Sequence, residues 1–212
     1  MKRLSLLLLQ FLLLISLLSC TPAYAGASER AADGTYQITA FESDPFGGGD
    51  SMWTGTAWKV SDTEMVTAGH VCDPDGGPAP VFRVFNTDGQ SWPATVVKFD
   101  HNWFTGSDLC VLKASPPGPA LRLAPDMPAY DSPVFYVGAA RGVWSDGMRP
   151  IFHGNYAGGN LVTIHGSPGA SGSAMQSKDG VIGVLVAGIP GTGLIFIIPL
   201  ADLRAFLDES GV

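Results

Sequence analysis

The chain predicts an all-β fold built as two barrel-like halves and closed by a short helix, and three observations predict it. Short runs rich in Val, Ile, Thr, Phe and Tyr recur along its 212 residues, with Gly, Asp, Asn and Pro turns between them. The densest proline break beyond the N-terminal apolar run, Ser115-Pro116-Pro117-Gly118-Pro119, falls near the middle of the remaining chain, where a connector between halves belongs. Only Ala201 to Leu207 has helical spacing, and it comes at the end. Closing many short strands into barrels removes their exposed edges, so this pattern reads as barrels and not as an open sheet.

The first residues stand outside that fold. Lys2 and Arg3 precede an apolar run from Leu4 to Leu18, the form of a secretory signal and short for crossing a bilayer. Two exits are written after it. Ala23-Tyr24-Ala25 has the small-x-small form of an ordinary cleavage site, whereas Leu17-Leu18-Ser19-Cys20 resembles a lipobox that would leave a lipid on Cys20. The expected division is a signal over 1–25, a partly disordered segment over 26–50, one folded domain over 51–205 with its connector near 115–120, and a tail over 206–212. The expected location is outside the cytoplasm, periplasmic or extracellular, with a membrane-anchored lipoprotein as the alternative.

The elements follow in order. Gly26 to about Asp33 is small and polar and is expected to be disordered. Strands are expected at Thr35–Phe41, Met52–Val60 and Met65–Thr67, broken by Gly47-Gly48-Gly49 and Ser61-Asp62. Val81–Phe85, the turn Asn86-Thr87-Asp88-Gly89 and the stretch from Ser91 to Phe99 read as a hairpin. Asp108–Ala114 completes the first half. Beyond the connector come Pro133–Val137, Arg149–Tyr156, Leu161–His165, Val181–Val186 and Gly193–Ile198.

Twelve Lys and Arg stand against 19 Asp and Glu, a formal charge of −7 that becomes more negative once Lys2 and Arg3 are removed. A polyanionic partner such as nucleic acid is excluded on that balance. Nothing beyond the signal predicts insertion in a membrane.

The chemistry centres on Gly169-Ala170-Ser171-Gly172-Ser173-Ala174, where a serine among small residues on a tight turn can present a bare hydroxyl. That hydroxyl needs a base, and the base needs an orienting group. His70, in Met65-Val-Thr-Ala-Gly-His-Val-Cys72, and Asp108, opening Asp-Leu-Cys-Val-Leu-Lys113, offer both. The order His, Asp, Ser excludes the nucleophile elbow of α/β-hydrolases, whose acid and histidine follow the serine. Asp100 is the rival acid, but only Asp108 is followed by alternating apolar residues that would fix it on a strand. Beyond Cys20 the chain has two cysteines. Cys110 shares strand parity with Asp108, and Cys72 lies two residues beyond the histidine, so a disulfide is expected if Asp108 reaches His70, with two buried thiols as the alternative. His70, Cys72, His101 and Cys110 lack the paired short-loop spacing of a zinc site, and no metal or other cofactor is expected.

Three blocks carry a resemblance: Gly55-Thr-Ala-Trp-Lys-Val-Ser-Asp62 with Val66-Thr-Ala-Gly-His70, then Asp100 through Leu112, then Gly169–Ala174 with Gly183-Val-Leu-Val-Ala-Gly188. In this order they resemble the trypsin-like serine proteases of the chymotrypsin fold, nearer the bacterial Htr and glutamyl-endopeptidase style than the digestive enzymes. The resemblance implies two six-stranded antiparallel β-barrels with the active site between them. It also implies a triad of His70, Asp108 and Ser171, an oxyanion hole from the Gly169 and Ser171 amides, and a specificity pocket walled by Val186, Ala187, Gly188 and Gly193 with His165 near its floor. His165 could receive an acidic side chain; small or medium apolar side chains are the preferred expectation. His101 and His153 are read as surface residues. Ala170 stands where trypsin has an aspartate, so activation by an ion pair with a fresh N-terminus is not expected. Gly69 and Cys110 are further departures, read as remote from the chemistry. The chain ends soon after its last strand, which implies none of the PDZ module that Htr proteins append.

The function so implied is a secreted, monomeric serine endopeptidase acting on polypeptides without a cofactor. Its alternative is a catalytically silent, protease-like binding protein.

Overall fold

The structure is a computed structural model that describes residues 25–42, 51–73, 81–102 and 107–212. The signal up to Tyr24, Cys20 and the Gly47-Gly48-Gly49 break lie outside the described residues.

Strands β1 (Thr35–Glu42), β2 (Ser51–Lys59), β3 (Glu64–Thr67), β4 (Val81–Phe85), β5 (Ser91–Asn102) and β6 (Ser107–Lys113) close in the order β1-β2-β3-β6-β5-β4. Strands β7 (Pro133–Val137), β8 (Ile151–Gly158), β9 (Leu161–Thr163), β10 (Ala174–Ser177), β11 (Gly180–Ile189) and β12 (Leu194–Pro199) close in the order β10-β11-β12-β9-β8-β7. Every strand ladder in both is antiparallel. The fold is therefore two six-stranded barrels, the two halves that the strand pattern predicts with the strand number that the resemblance implies.

The first barrel is filled by Ile38, Trp58, Met65, Val66, Leu109 and Leu112, and the second by Tyr136, Met175, Ile182 and Ile197, all with almost no solvent exposure. Truncating one of these to alanine costs about 2–5 kcal/mol, because the space it vacates collapses only in part. The proline connector is strapped to the first barrel. Its carbonyls need donors, and the buried Lys59 ammonium supplies two hydrogen bonds, 2.8 Å to Pro116 O and 2.9 Å to Gly118 O, while the Tyr36 hydroxyl donates to Pro117 O.

Several boundaries differ from the sequence expectation. Residues expected to be disordered form helix α1 (Ala25–Asp33). Alanine is the strongest helix former, and Ala31 and Ala32 bury against Phe135, Val137, Ala139 and Trp144. The first barrel begins at Thr35 and not at residue 51, because β1 pairs along its whole length with β2 and also with β4. Strand β10 was not expected at all: Ala174-Met-Gln-Ser177 has no polar alternation because all four residues are buried. The closing helix, α3 (Leu200–Ser210), runs past the expected start of a tail at 206, since Phe206 and Leu207 pack with Leu203 in the core and Gly211, at φ +75°, terminates it.

Candidate active site

His70 sits on a one-turn helix, α2 (Gly69–Cys72), which leaves the end of β3. Because β3 pairs with β6, with Thr67 opposite Cys110, that turn lies over the start of β6, where Asp108 is the second residue. The Asp108 carboxylate is buried, and both its oxygens are taken by one residue. Oδ1 accepts the His70 backbone N–H at 2.7 Å, and Oδ2 lies 2.7 Å from His70 Nδ1. A carboxylate holding Nδ1–H fixes the ring and leaves Nε2 with its lone pair. Asp108, not Asp100, is the acid that meets the histidine; Asp100 contributes its main chain, which packs against Gly69.

Two departures read as remote from the chemistry prove to abut it. A side chain on Gly69 would collide with Asp100 O and stand 2.9 Å from Asp108 Oδ1, so only glycine lets the carboxylate come this close. Cys110 bonds Cys72 in a disulfide, with Cα atoms 6.4 Å apart. Both sulfurs are thereby removed from any zinc set with His70 and His101. Nor is His101 a simple surface residue. It stands opposite Asp108 in the β5–β6 register, half-buried, its ring centroid 6.0 Å from that of His70 and its Nδ1 3.0 Å from Asp73 O. Its lone occurrence in the sequence gave no sign of this, because cross-strand register is a tertiary property. His153 lies opposite Phe135, ring centroids 6.1 Å apart.

Ser171 comes from the other barrel. Its carbonyl accepts the Thr56 N–H of β2 at 2.8 Å, and Gly172 rests on Thr56 O, Thr67 Oγ1 and the Ala68 amide. Gly172 has φ +89° and could carry no side chain without colliding with two of those oxygens. A β-carbon on Gly55 would lie 2.9 Å from Val71 Cγ2 and 3.2 Å from Ser171 O, so the serine loop and the residue after His70 converge on one point. The Ser171 hydroxyl has no hydrogen-bond partner among the described residues. Ala170 is buried in the second core with no carboxylate in its place.

The backbone of this loop is divided. The amides of Ala170, Gly172 and Ser173 are spent on Ser167 O, Leu185 O and Ala170 O at 3.0, 2.7 and 3.0 Å, whereas those of Gly169 and Ser171 meet no acceptor among the described residues. The Arg141 N–H donates to Pro168 O at 2.6 Å, and in a planar trans peptide this turns the Gly169 N–H the opposite way. Gly169 has φ +90° and packs on Ala139 O, so glycine is required there too.

Beside Ser171 opens a cavity of about 620 Å³. Its walls contain all five residues expected of the specificity pocket: His165, Val186, Ala187, Gly188 and Gly193. His165 is an exposed residue, its ring 5.9 Å from that of Phe152, and the Tyr136 hydroxyl donates to its carbonyl at 2.8 Å. Burial pushes the Tyr136 phenol well above its ordinary value, so it remains a donor. Sequence reasoning missed Ile195, which also lines the cavity. Its Cδ1 occupies the space that side chains on Gly166 and Gly188 would need, standing 2.9 Å from a β-carbon built on Gly188. The β11–β12 register, with Gly188 opposite Ile195, creates that contact and could not be read from spacing.

A family model described as a trypsin-like peptidase domain matches residues 55–184, and no curated protein matches the chain. That span runs from within β2 into β11 and takes in His70, Asp108 and the serine loop, while the cavity walls from Val186 onward lie beyond it. Two closed six-stranded barrels, a His–Asp pair on the first and a glycine-flanked serine on the second agree with that match, and the chain belongs to the trypsin-like peptidase domain family.

Proposed function

We propose that the protein is a serine endopeptidase that hydrolyses polypeptides through His70, Asp108 and Ser171 without a cofactor. The observation that carries this reading is the pairing of a doubly bonded Asp108–His70 unit with a serine loop whose Gly169 and Ser171 amides meet no acceptor among the described residues. Ser171 Oγ attacks the scissile carbonyl carbon while its proton passes to His70 Nε2. Asp108 holds the ring and stabilises the imidazolium. The carbonyl oxygen becomes an oxyanion between the two free amides, and collapse of the intermediate breaks the C–N bond. The amine departs with the proton from His70, leaving an acyl-enzyme, which water hydrolyses by the same steps in reverse. The serine-to-histidine hydrogen bond is commonly long in a substrate-free site and closes when substrate excludes water.

The residue before the scissile bond enters the cavity beside Ser171. Its lining is mostly aliphatic, and Ile195 reduces its width between Gly166 and Gly188, which favours small or medium apolar side chains. The N-terminal apolar run supports export, with release after Ala25 or lipidation at Cys20 as the two routes, and the folded domain acts as a monomer. The Ser171 hydroxyl, which has no hydrogen-bond partner among the described residues, favours one second reading, a protease-like protein that binds peptides and does not cut them. A fluorophosphonate probe separates the two. Under the enzyme reading one adduct forms on Ser171, and Ser171→Ala abolishes both labelling and cleavage of a mixed peptide library. Cleavage that persists in the alanine variant would remove the enzyme reading.

A further inference from the structure

Thr56 belongs to the barrel that carries His70 and Asp108, yet it bonds three residues of the other barrel, Ser171, Gly169 and Ala139. It is wholly buried. Its N–H donates to Ser171 O at 2.8 Å; its hydroxyl donates to Gly169 O at 2.8 Å and accepts the Ala139 N–H at 2.9 Å; its carbonyl accepts the Thr67 hydroxyl at 2.7 Å. A threonine hydroxyl has one proton to give and lone pairs to receive, so these two side-chain bonds are compatible and use its donor fully.

The consequence lies in the Gly169–Ala170 peptide. Its carbonyl is tied to Thr56 Oγ1 and its N–H to Ser167 O, so the plane is held from both sides between the two unspent amides of Gly169 and Ser171. Ala139, the other partner of the hydroxyl, packs its own carbonyl against Gly169 and precedes the turn whose Arg141 amide holds Pro168 O. One hydroxyl therefore ties both layers of the loop to the histidine-bearing barrel. Resting on the endopeptidase reading above, we infer that Thr56 is a positioning residue for the oxyanion hole, and that its side-chain hydroxyl, not its bulk, keeps the Gly169 and Ser171 amides convergent.

The alternative state is easily reached. Without the hydroxyl, Gly169 O and Ala139 N–H are buried polar groups with no partner, each costly to leave unmade. Gly169 has the backbone freedom of a residue without a β-carbon, so the carbonyl turns toward water by rotation there. Water is reached through the open groove beside Ser171, and a carbonyl turned into the groove opposes a developing oxyanion.

The test compares Thr56→Val, which keeps the shape and loses the hydroxyl, with Thr56→Ser, which keeps the hydroxyl and loses a methyl. Each is checked for native far-UV circular dichroism, then assayed for kcat, KM and inhibition by a peptide aldehyde, whose hemiacetal oxygen occupies the oxyanion position. The expected result for Thr56→Val is a fall in kcat of about 10- to 100-fold, smaller than loss of a donor outright, with KM nearly unchanged and aldehyde affinity falling in parallel. Thr56→Ser restores most of the loss. A folded Thr56→Val that cleaves at the native rate, or a Thr56→Ser as impaired as Thr56→Val, overturns the inference while leaving the endopeptidase reading in place. If the native protein neither cleaves peptides nor takes a fluorophosphonate on Ser171, that reading fails and the role of Thr56 fails with it.

Discussion

Cys72 and Cys110 repeat the pairing of His70 with Asp108 two residues further along each element. Both pairs span 38 residues, and both join the α2 turn to strand β6. The disulfide is thus a covalent staple parallel to the hydrogen-bonded pair on which the proposed chemistry depends. Closing a loop of this length against an unfolded chain contributes about 3–4 kcal/mol. The double variant Cys72→Ala/Cys110→Ala should therefore lower the urea midpoint by a corresponding amount, and intact mass of the native protein should rise by two hydrogens only after reduction. Alkylation of both thiols in unreduced native protein would contradict it.

Gly69→Ala should be among the most damaging small substitutions in the chain. The added methyl collides with Asp100 O and crowds Asp108 Oδ1, so either the β5–β6 hairpin moves or the carboxylate leaves its position on His70. Both routes separate histidine from acid. The expected loss in kcat is about 10²-fold or more, against a stability cost of about 1–3 kcal/mol for the overpacked site. Comparable activity in a folded Gly69→Ala would show that the close approach is dispensable.

Ile195→Ala should widen the cavity beside Ser171 by removing the methyl that stands against Gly166 and Gly188. In a peptide library the preferred residue before the cut should shift from small or medium apolar toward Leu, Met or Phe, with a change in relative kcat/KM of about 10-fold or more per added methylene pair. An unchanged preference would mean that Ile195 lies behind the pocket and not in it.

Two pH effects follow from different groups. Cleavage should fall on acidification, since a protonated imidazole cannot take the serine proton; a flat profile between about pH 5 and 9 would count against His70 as the base. Stability should fall at the alkaline end through Tyr136. Burial raises its phenol in the folded state above the ordinary value of 10.0. Stability from that shift is complete below pH 10.0 and is lost as pH climbs above it, because the unfolded chain can then release a proton that the native one retains. Tyr136→Phe should flatten this alkaline decline, at a cost near neutrality of about 1 kcal/mol for the lost bond to His165 O. Chemical denaturation curves at pH 8 and 10.5 for both forms would reveal it.

The sequence by itself determined the all-β class, the two halves, the connector, and the order of His70, Asp108 and Ser171. Strand periodicity, proline breaks and glycine-flanked turns are local properties, and the blocks that carry them are contiguous. It also placed Cys72 and Cys110 correctly, because strand parity ties their fate to that of His70 and Asp108. Tertiary structure alone decided what lies across a register or a barrel boundary. Helix α1 was missed because its stability comes from Ala31 and Ala32 docking on Trp144 and Phe135, and β10 because complete burial erased its alternation. His101 beside His70, Ile195 between two glycines, and Thr56 bonded to Gly169 each join residues distant in the chain. A side chain's neighbours across a closed barrel depend on strand stagger, and stagger is set by the packing of the whole core, which no local stretch of sequence contains.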